Sequence, residues 1–280
     1  MNNPGAACVR RSIMGMSNLL FILLAAHPLA AAEPAWQLEL TSPTPGSYPS
    51  IPPCVIDLQV TWNGLINSGK LRMECAPQDV QKAGSLIVRS SATSIDPAAL
   101  LFPYQSNFWS ELNPTTLKPL VFHAIETDSK ESTTSITRHF ADRVEFQETS
   151  KSLSTGTVTR KERVFQFTPV FDIFSAMLHV RSQKLDAGDL ITLVVEPFGT
   201  PYLLRVKVRR REIHLDRKTI RLSVGLRKIN RKTLDLAPYK KMKNDATLWL
   251  SDDADRIPVE LRAAIFIGDI RATLTAYQKL

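Results

Sequence analysis

The chain has 280 residues, of which 44% are hydrophobic and 22% are charged, and its formal net charge is +8. This composition is typical of a folded protein and excludes a disordered or low-complexity chain. The length allows one large core or two small ones, and the positive charge favours anionic partners such as lipid headgroups or acidic glycans.

The N-terminal segment has the pattern of a cleaved secretory signal. Arg10 and Arg11 precede a mostly apolar run at 13–26, and the alanines at 30–32 fit the small residues before a signal-peptidase site. A membrane anchor is the alternative, but the run is shorter than the roughly 20 residues that a spanning helix needs. We therefore expect cleavage before Glu33, export to the periplasm and no membrane span.

The segment that follows, 33–53, is predicted to be a proline-rich leader. Its second part, 41–53, holds five prolines and one glycine. Prolines at this density oppose both helix formation and strand pairing, so we expect an extended segment. From residue 54 onwards the pattern is that of strands, which predicts one β-rich domain over 54–280.

A β-hairpin is predicted at the start of this domain. The strand-like segment 55–62 is followed by Asn63-Gly64, a strong hairpin signal, and by a second strand-like run that ends at Cys75. Such a hairpin places Cys54 and Cys75 nearly opposite each other, with a bulge to correct the register. An even cysteine pair in an exported protein favours a disulfide, and its spacing is not that of a zinc site.

Further strands are predicted where apolar residues alternate between turn signals. They cover 136–147, 157–168, 190–197, 202–209, 212–215, 219–229, 246–251, 257–267 and 269–278. One amphipathic helix is predicted at 172–183, capped by Asp172, and a short second helix at 77–90. The predicted fold class is mainly β: a large curved antiparallel sheet or half-open barrel, with one main amphipathic helix packed against it.

Two stretches of the chain echo each other. Residues 109–124 and 249–263 both run from Trp through a polar turn to Pro, and then into an alternating strand. We interpret both as strand–turn–strand units, in which Pro119 and Pro258 open the second strand, where a missing amide donor is tolerated.

The polar turn of the second unit carries a motif of Ser251, Asp252, Asp253, Arg256 and Pro258. Several carboxylates in one loop suggest calcium, but the alternating acids, central glycine and distal glutamate of a calcium loop are absent. Aspartate and serine are favoured in turns because their side chains bond the local backbone. We therefore predict a turn, with Arg256 paired to one of the acids.

No catalytic, metal or cofactor site is predicted from motifs. The histidines at His123, His139, His179 and His214 lack the spacing of metal-ligand pairs. Nucleophile motifs such as GxSxG are absent, and so are GxGxxG and Walker loops. We therefore expect no catalytic residues, no metal and no cofactor.

A basic stretch at 205–232 is the candidate for binding an anionic ligand. In a strand, the intervening Leu204, Val206 and Val208 face the core, so the basic side chains share the opposite face. The alternative is a solvated outer face, and a nucleic-acid platform is not expected because interleaved aromatic residues are absent. The candidate anion-binding set is Arg205, Lys207, Arg209, Arg221 and Arg227.

Three stretches of the chain resemble a known family. They are YQSNFWSELNPTTLKP at 104–119, FDIFSAMLHVRSQKLDAGD at 171–189 and LWLSDDADRIPVELRAAIFIGDIRATL at 248–274. They resemble the exported bacterial family called domain of unknown function 3108. This resemblance implies an exported, β-rich single domain without an established activity. The strand–turn–Pro–strand units are also similar in style to those of the LolA/LolB-type periplasmic lipoprotein carriers, in which a curved sheet surrounds helices.

These observations lead to three hypotheses of function. The first is a non-catalytic binding or carrier protein for an amphiphilic or anionic component of the cell envelope. The second is a structural or assembly protein that makes protein contacts through its sheet edge or basic face. The third, an enzyme acting on cell-wall glycan, rests only on scattered carboxylates at Glu126, Asp128, Asp252 and Asp253. The ligand, the protein partners and the oligomeric state are not predicted.

Overall fold

The structure is a computed structural model that describes residues 33–49, 51–76, 84–265 and 268–280. The predicted signal segment, 1–32, lies outside the described residues. Among the helices in the described ranges, none is long and apolar enough to cross a membrane.

The described residues form fifteen strands and two short α-helices. The helices are α1 (Ala98–Leu101) and α2 (Ile173–Ser182), and two 3-10 turns cover Ala35–Glu39 and Pro197–Gly199. The strands are β1 (Cys54–Trp62), β2 (Ile66–Cys75), β3 (Leu86–Ser94), β4 (Tyr104–Leu112), β5 (Pro119–Asp128), β6 (Glu131–His139), β7 (Val144–Ser152), β8 (Val158–Phe165), β9 (Leu190–Val195), β10 (Tyr202–His214), β11 (Arg217–Ile229), β12 (Leu236–Pro238), β13 (Ala246–Ser251), β14 (Pro258–Ile265) and β15 (Gly268–Lys279).

All fifteen strands belong to one antiparallel sheet. Its order is β8-β7-β6-β5-β4-β3-β2-β1-β15-β14-β13-β11-β10-β9, with β12 paired to β11. Two meanders therefore meet where β1 pairs with β15, and β8 and β9 remain as the edges of the sheet. The sheet is not closed, which confirms the predicted mainly β class with a large open antiparallel sheet.

The sheet curves around α2, because opposite faces of this helix pack on different halves of the sheet. Phe174 and Leu178 join a buried cluster with residues of β1 to β5. Ala176 and Val180 join a second cluster with residues of β9, β10, β11 and β13. A helix that is buried on both sides needs apolar residues around most of its circumference, which explains why its sequence is almost free of charge.

The N-terminus of α2 is fixed by a capping box. The Asp172 carboxylate accepts hydrogen bonds from the backbone amides of Phe174 and Ser175, and the Ser175 hydroxyl accepts one from the Asp172 amide. The hydroxyl of Ser110 on β4 donates to the same carboxylate. Burial raises the pKa of Asp172, so these donors are what make its position tolerable in the core. The predicted helix and its cap are confirmed.

The leader packs against the sheet as part of the same compact unit, Pro34–Leu280. Trp36 is buried in a cluster with Leu203 and Ile229, and its indole donates to the carbonyl of Leu234. The amide of Thr41 donates to a carbonyl of the edge strand β9. The segment 41–49 has no regular structure, and beyond Thr41 the amides of Gly46 and Tyr48 donate to Ser182 at the end of α2.

Several predicted elements agree with the structure and three do not. The Asn63-Gly64 hairpin is formed, with the expected register shift, and Pro119 and Pro258 open β5 and β14. The single strand predicted at 136–147 is wrong, because a tight turn at 140–143 separates β6 from β7. Here Arg143 stacks on the ring of Phe140 and stabilises a turn that contains no glycine or proline.

The other two differences concern strand continuity and the second helix. The predicted strand at 212–215 is the end of β10, which continues through a bulge after Val208. The helix predicted at 77–90 lies partly outside the described residues, and its last residues belong to β3 instead. Isoleucine and valine at 87 and 88 are β-branched and fit a strand better than a short helix.

Candidate functional site

The curved sheet has two different ends. The turns β4–β5, β6–β7, β10–β11 and β13–β14 lie at one end, and the turns β1–β2, β3–β4, β5–β6 and β7–β8 lie at the other. Helix α2 lies at the first end, since Asp172 bonds Ser110 near the β4–β5 turn and Arg181 donates to Asp255 in the β13–β14 turn. We call this the closed end, and the opposite one the open end.

Inward-facing side chains become more exposed from the closed end to the open end. On β1, Ile56 is buried, whereas Val60 is partly exposed; on β2, Met73 is buried and Leu71 partly exposed. The same change occurs on β11, where Leu222 is buried against α2 and Val224, nearer the open end, is partly exposed. The helix therefore fills only the closed half of the interior, and the open half retains accessible apolar surface.

One cross-strand row defines this surface. Directly opposite residues of a ladder point to the same face of a sheet. The row passes from β1 through β15, β14, β13 and β11 to β10, and its last two members are buried against α2, so the whole row faces inward. Its members are Val60, Ala272, Leu261, Leu248, Leu222 and Val208.

The open half of the interior is lined by apolar side chains on this side of the sheet. Leu261 is 39% exposed, and the other residues of the wall, named at the end of this paragraph, are partly exposed. On α2, Ile173 and Met177 are the partly exposed residues, one turn apart. We call this surface the apolar trough. Its wall consists of Val60, Leu71, Leu204, Val224, Leu226, Leu248, Leu261, Ile270, Ala272 and Leu274, with Ile173 and Met177 from α2.

The interior of the other half of the sheet is polar at the open end. The hydroxyl of Tyr104 donates to Glu126 over 2.7 Å, and Lys161 forms an ion pair with Glu148 over 2.6 Å. These groups line a hollow of about 210 Å³ together with Asp128 and other polar residues. Burial raises the pKa of Tyr104, so its hydroxyl stays protonated. An apolar wall and a polar wall therefore face the same opening.

The turn at 251–258 holds the C-terminus of α2. The guanidinium of Arg256 donates to the carbonyls of Arg181, Gln183 and Lys184, where α2 ends, and lies 3.7 Å from the centre of the Tyr48 ring. The prediction that Arg256 pairs with an acid of its own turn is therefore corrected. Carbonyls at the end of a helix lack internal partners, and the buried Arg256 satisfies two of them here and that of Lys184 just beyond.

The serine and the acids of this turn bond locally. The Asp253 carboxylate accepts hydrogen bonds from the Ser251 hydroxyl and from the amides of Asp255 and Arg256. Asp252 instead pairs with Arg211 of β10. Pro258 begins β14 directly after this turn. Within the described ranges, histidine, cysteine and acidic side chains form no cluster that could hold a metal ion.

The cysteine pair, Cys54 and Cys75, lies in the closed half of the interior. The two residues are directly opposite in the β1–β2 ladder, and both are buried. Both are free thiols in the structure, so the predicted disulfide is not formed. A hydrogen bond between the thiols and the burial of Cys75 raise the pKa of Cys75 well above its usual range. The pair therefore acts as part of the apolar core beside α2.

The basic candidates lie on the outer face of the sheet. Val206 and Val208 are buried, while Lys207 is exposed, as the alternation on β10 predicts. Arg205 pairs with Glu39 of the leader over 2.8 Å, and Arg209 donates to Ser223. Arg221 lies over the ring of Trp249, and Arg227 is exposed. The set therefore does not converge on one point, and its role in anion binding stays a prediction.

The outer face also carries two adjoining hollows. One, of about 390 Å³, includes the stacked rings of Trp109 and His123 together with Arg89 and Ile125. The other, of about 550 Å³, crosses β1 to β4 on the same face. Both are open grooves on the outer surface of a twisted sheet, and their walls are more polar than the apolar trough.

The sequence alone does not reveal the trough, although one signal for it exists. The segments of β13, β14 and β15 alternate between apolar and polar residues, which indicates one buried face for each strand. That pattern does not show which of these residues the helix leaves exposed. Which of these residues stay exposed depends on where α2 crosses the sheet.

The comparisons with known proteins concern fold and family. A beta-barrel-like protein of domain of unknown function DUF1849 from Brucella abortus is similar in fold, with 8% identity and a TM-score of 0.50 over 82% of this chain and 98% of that chain. A protein with a YmcC-like fold from Bacteroides fragilis covers 84% of this chain and 100% of its own, at 6% identity and a TM-score of 0.33, too low to compare folds. No curated protein matches the chain. The model of the family described as protein of unknown function (DUF3108) matches residues 57–275, and the chain therefore belongs to the DUF3108 family.

Proposed function

We propose that this protein binds an apolar or amphiphilic molecule, such as the acyl chain of an envelope lipid, in the apolar trough and carries out no chemistry on it. The observation that carries the proposal is the inward row from Val60 to Leu248, whose members are apolar and accessible. Apolar surface left open to water is unfavourable, and each methylene of a bound chain that leaves water contributes about 0.8 kcal/mol.

The polar wall beside the trough supports an amphiphile rather than a plain hydrocarbon. Tyr104, Glu126 and Lys161 lie at the same opening, and their donors and acceptors suit a polar headgroup. Binding sites for small molecules commonly combine an apolar lining with a few polar groups that fix orientation. An acyl chain on the apolar wall would place its headgroup at the open end.

The proposal includes export to the periplasm, and its support is the N-terminal sequence. A basic start, an apolar run and a small-residue site form the pattern of a secretory signal. Lipids and lipid-linked molecules are the available apolar ligands in that compartment. The appearance of the intact N-terminus on a cytoplasmic protein in the cell would contradict this part of the proposal.

The two alternative functions have less support. The carboxylates of the enzyme hypothesis are far apart, because Glu126 and Asp128 lie at the open end and Asp252 and Asp253 at the closed end. For a protein that pairs through its sheet edge, β9 is already covered by the leader. The other edge, β8, carries four consecutive charged residues at 160–163, and charged side chains are a usual protection against edge pairing.

The direct test uses the chain from Glu33 to Leu280, which includes the whole compact unit. Protein purified without detergent is extracted with organic solvent, and the extract is analysed by mass spectrometry for lipids. The delipidated protein is then titrated with a fluorescent fatty acid and with an unlabelled competitor. We expect co-purified lipid and saturable, competed uptake; absence of both would contradict the proposal.

A further inference from the structure

Large apolar side chains project into solvent at the open end. Leu65 in the β1–β2 turn is 87% exposed, and Leu100, Leu101 and Phe102 in the β3–β4 connection are 79%, 71% and 62% exposed. Each is far above the exposure of the trough residue Leu261, and they belong to two successive turns of the sheet. Scattered single exposed residues are ordinary, but a contiguous apolar patch marks an interaction surface.

The two turns are neighbours. The amide of Ile95 donates to the carbonyl of Ser68, which joins the β3–β4 connection to β2. Next along the rim, Asn63 and Asp269 exchange hydrogen bonds between the β1–β2 turn and β15. The apolar tips therefore stand side by side along one stretch of the rim.

A basic segment continues the same stretch of the rim. The amide of Lys243 donates to the carbonyl of Ala264 near the end of β14, and the exposed side chains of Lys240 and Lys241 precede it. With strands about 4.8 Å apart, the distance from the β3–β4 connection to β14 is roughly 20 Å. Apolar tips and lysines thus lie within the width of a few lipid headgroups.

The acidic groups near this stretch are Asp96, which is exposed in the β3–β4 connection, and Asp245 and Asp269 near β13 and β15. Asp269 pairs with Arg271 over 2.7 Å, and Asp245 accepts a hydrogen bond from Ser223. The acids of the polar wall, Glu126 and Glu148, lie beyond β4, on the other half of the sheet. Around β14 and β15, the three lysines and Arg271 outnumber Asp245 and Asp269, so the local charge is positive.

We propose that this rim, formed by Leu65, Leu100, Leu101 and Phe102 with Lys240, Lys241 and Lys243, docks the protein on the surface of an anionic lipid bilayer. The apolar tips enter the headgroup region, and the lysines attract anionic headgroups, since each lysine near such a surface increases binding roughly fivefold. Exposed apolar tips beside basic residues match the chemistry of a membrane interface. Docking in this orientation turns the trough towards the lipid, and in that respect the inference deepens the proposed function.

The closed end provides the matched control. The β10–β11 hairpin also has exposed apolar residues, Ile213 at 68% and Leu215 at 49%, and two exposed basic residues, Arg217 and Lys218. It faces away from the trough. A protein that binds membranes through any exposed apolar and basic patch would use either end, whereas the proposal assigns binding to the rim of the open end.

The experiment measures co-sedimentation of residues 33–280 with phosphatidylcholine vesicles that contain phosphatidylglycerol. The rim variant Leu65→Ser/Leu101→Ser should weaken binding at least tenfold, and its control Ile213→Ser/Leu215→Ser should not. Lys240→Gln/Lys241→Gln should weaken binding roughly 25-fold at low salt, from about fivefold for each lysine. Its control, Arg217→Gln/Lys218→Gln, should bind as the unaltered protein does.

Two further readouts separate this inference from the proposed function. Both rim variants should keep the circular dichroism spectrum and the uptake of soluble fluorescent fatty acid, because neither touches the trough. Vesicle binding that is lost in the closed-end controls, or retained in both rim variants, would overturn the docking proposal. Equal binding of the unaltered protein to pure phosphatidylcholine would overturn the role of the lysines.

Discussion

Replacement of Arg256 by methionine should strongly destabilise the protein, although the residue is distant from the trough. Arg256 is 3% exposed, and its guanidinium donates to three carbonyls at and just beyond the end of α2. Methionine fills a similar volume and packs against Tyr48, but it has no donor. The variant thus tests whether the β13–β14 turn holds the helix in the closed end.

The magnitude follows from the groups left without partners. A buried polar group that loses its hydrogen bond costs about 1–3 kcal/mol, and a cation at the end of a helix contributes up to about 2 kcal/mol in a partly buried position. Water can reach some of the three carbonyls after the change, so the sum is less than three full penalties. We expect the free energy of unfolding to fall by about 3–5 kcal/mol.

The assay is urea unfolding followed by tryptophan fluorescence, with Arg211→Met as the control. Arg211 also contacts this turn, but its side chain is 44% exposed and pairs with Asp252 at the surface. An exposed ion pair contributes little, so the control should lose less than about 1 kcal/mol. Equal losses in the two variants would refute the assignment of Arg256 as the residue that fixes the end of α2.

Three other predictions concern the interior. In the cysteine pair, both thiols should react slowly with an alkylating reagent in the folded protein and fully after unfolding without reductant; a requirement for reductant would contradict the structure. Burial raises the pKa of Glu196 to about 7, so its ionisation destabilises the folded state as pH rises from about 5 to 7. The Glu196→Gln variant should therefore gain stability relative to the unaltered protein across that window, by up to roughly 3 kcal/mol, and a difference that stays constant with pH would argue against this. Gly199 has a φ of +68°, and a Cβ there would lie 2.3 Å from the ring of Phe146, whereas Gly156 has a φ of +71° and open space around it. Gly199→Ala should lower the melting temperature clearly more than Gly156→Ala, and equal shifts would show that the contact with the ring costs nothing.

The local elements of this fold could largely be predicted from the sequence. Asn63-Gly64 specifies its hairpin, Asp172 caps α2, and alternation identifies β13 and β14. These features depend on neighbours in the chain, which a sequence shows directly. The turn at 140–143 has no sequence signal, because a contact between Arg143 and Phe140 replaces the glycine or proline that usually marks a turn.

The candidate site could not be predicted, because it depends on contacts between distant parts of the chain. The trough exists only because β1 pairs with β15, which brings Val60 beside Ala272. Its depth depends on α2, which lies at the closed end because Arg256 and Ser110 hold its two termini. Side-chain hydrogen bonds of this kind carry no periodic signal, and the sequence therefore favours a neighbouring acid, and not the end of α2, as the partner of Arg256.

The central claim is that an acyl chain lies in the apolar trough and not in the hollows of the outer face. Leu261→Lys places a charge on the wall of the trough, and Ile125→Lys places the same charge in the outer hollow beside Trp109. Both positions are already partly exposed, so both variants should fold.

The measurement is the dissociation constant of a fluorescent fatty acid for the two variants and the unaltered protein. An acyl chain in the trough would have to displace the lysine or desolvate it, which costs more than the 1.4 kcal/mol that corresponds to a tenfold change. We predict at least about tenfold weaker binding for Leu261→Lys and unchanged binding for Ile125→Lys. Unchanged binding by Leu261→Lys, or a loss confined to Ile125→Lys, would contradict the assignment of the trough as the binding site.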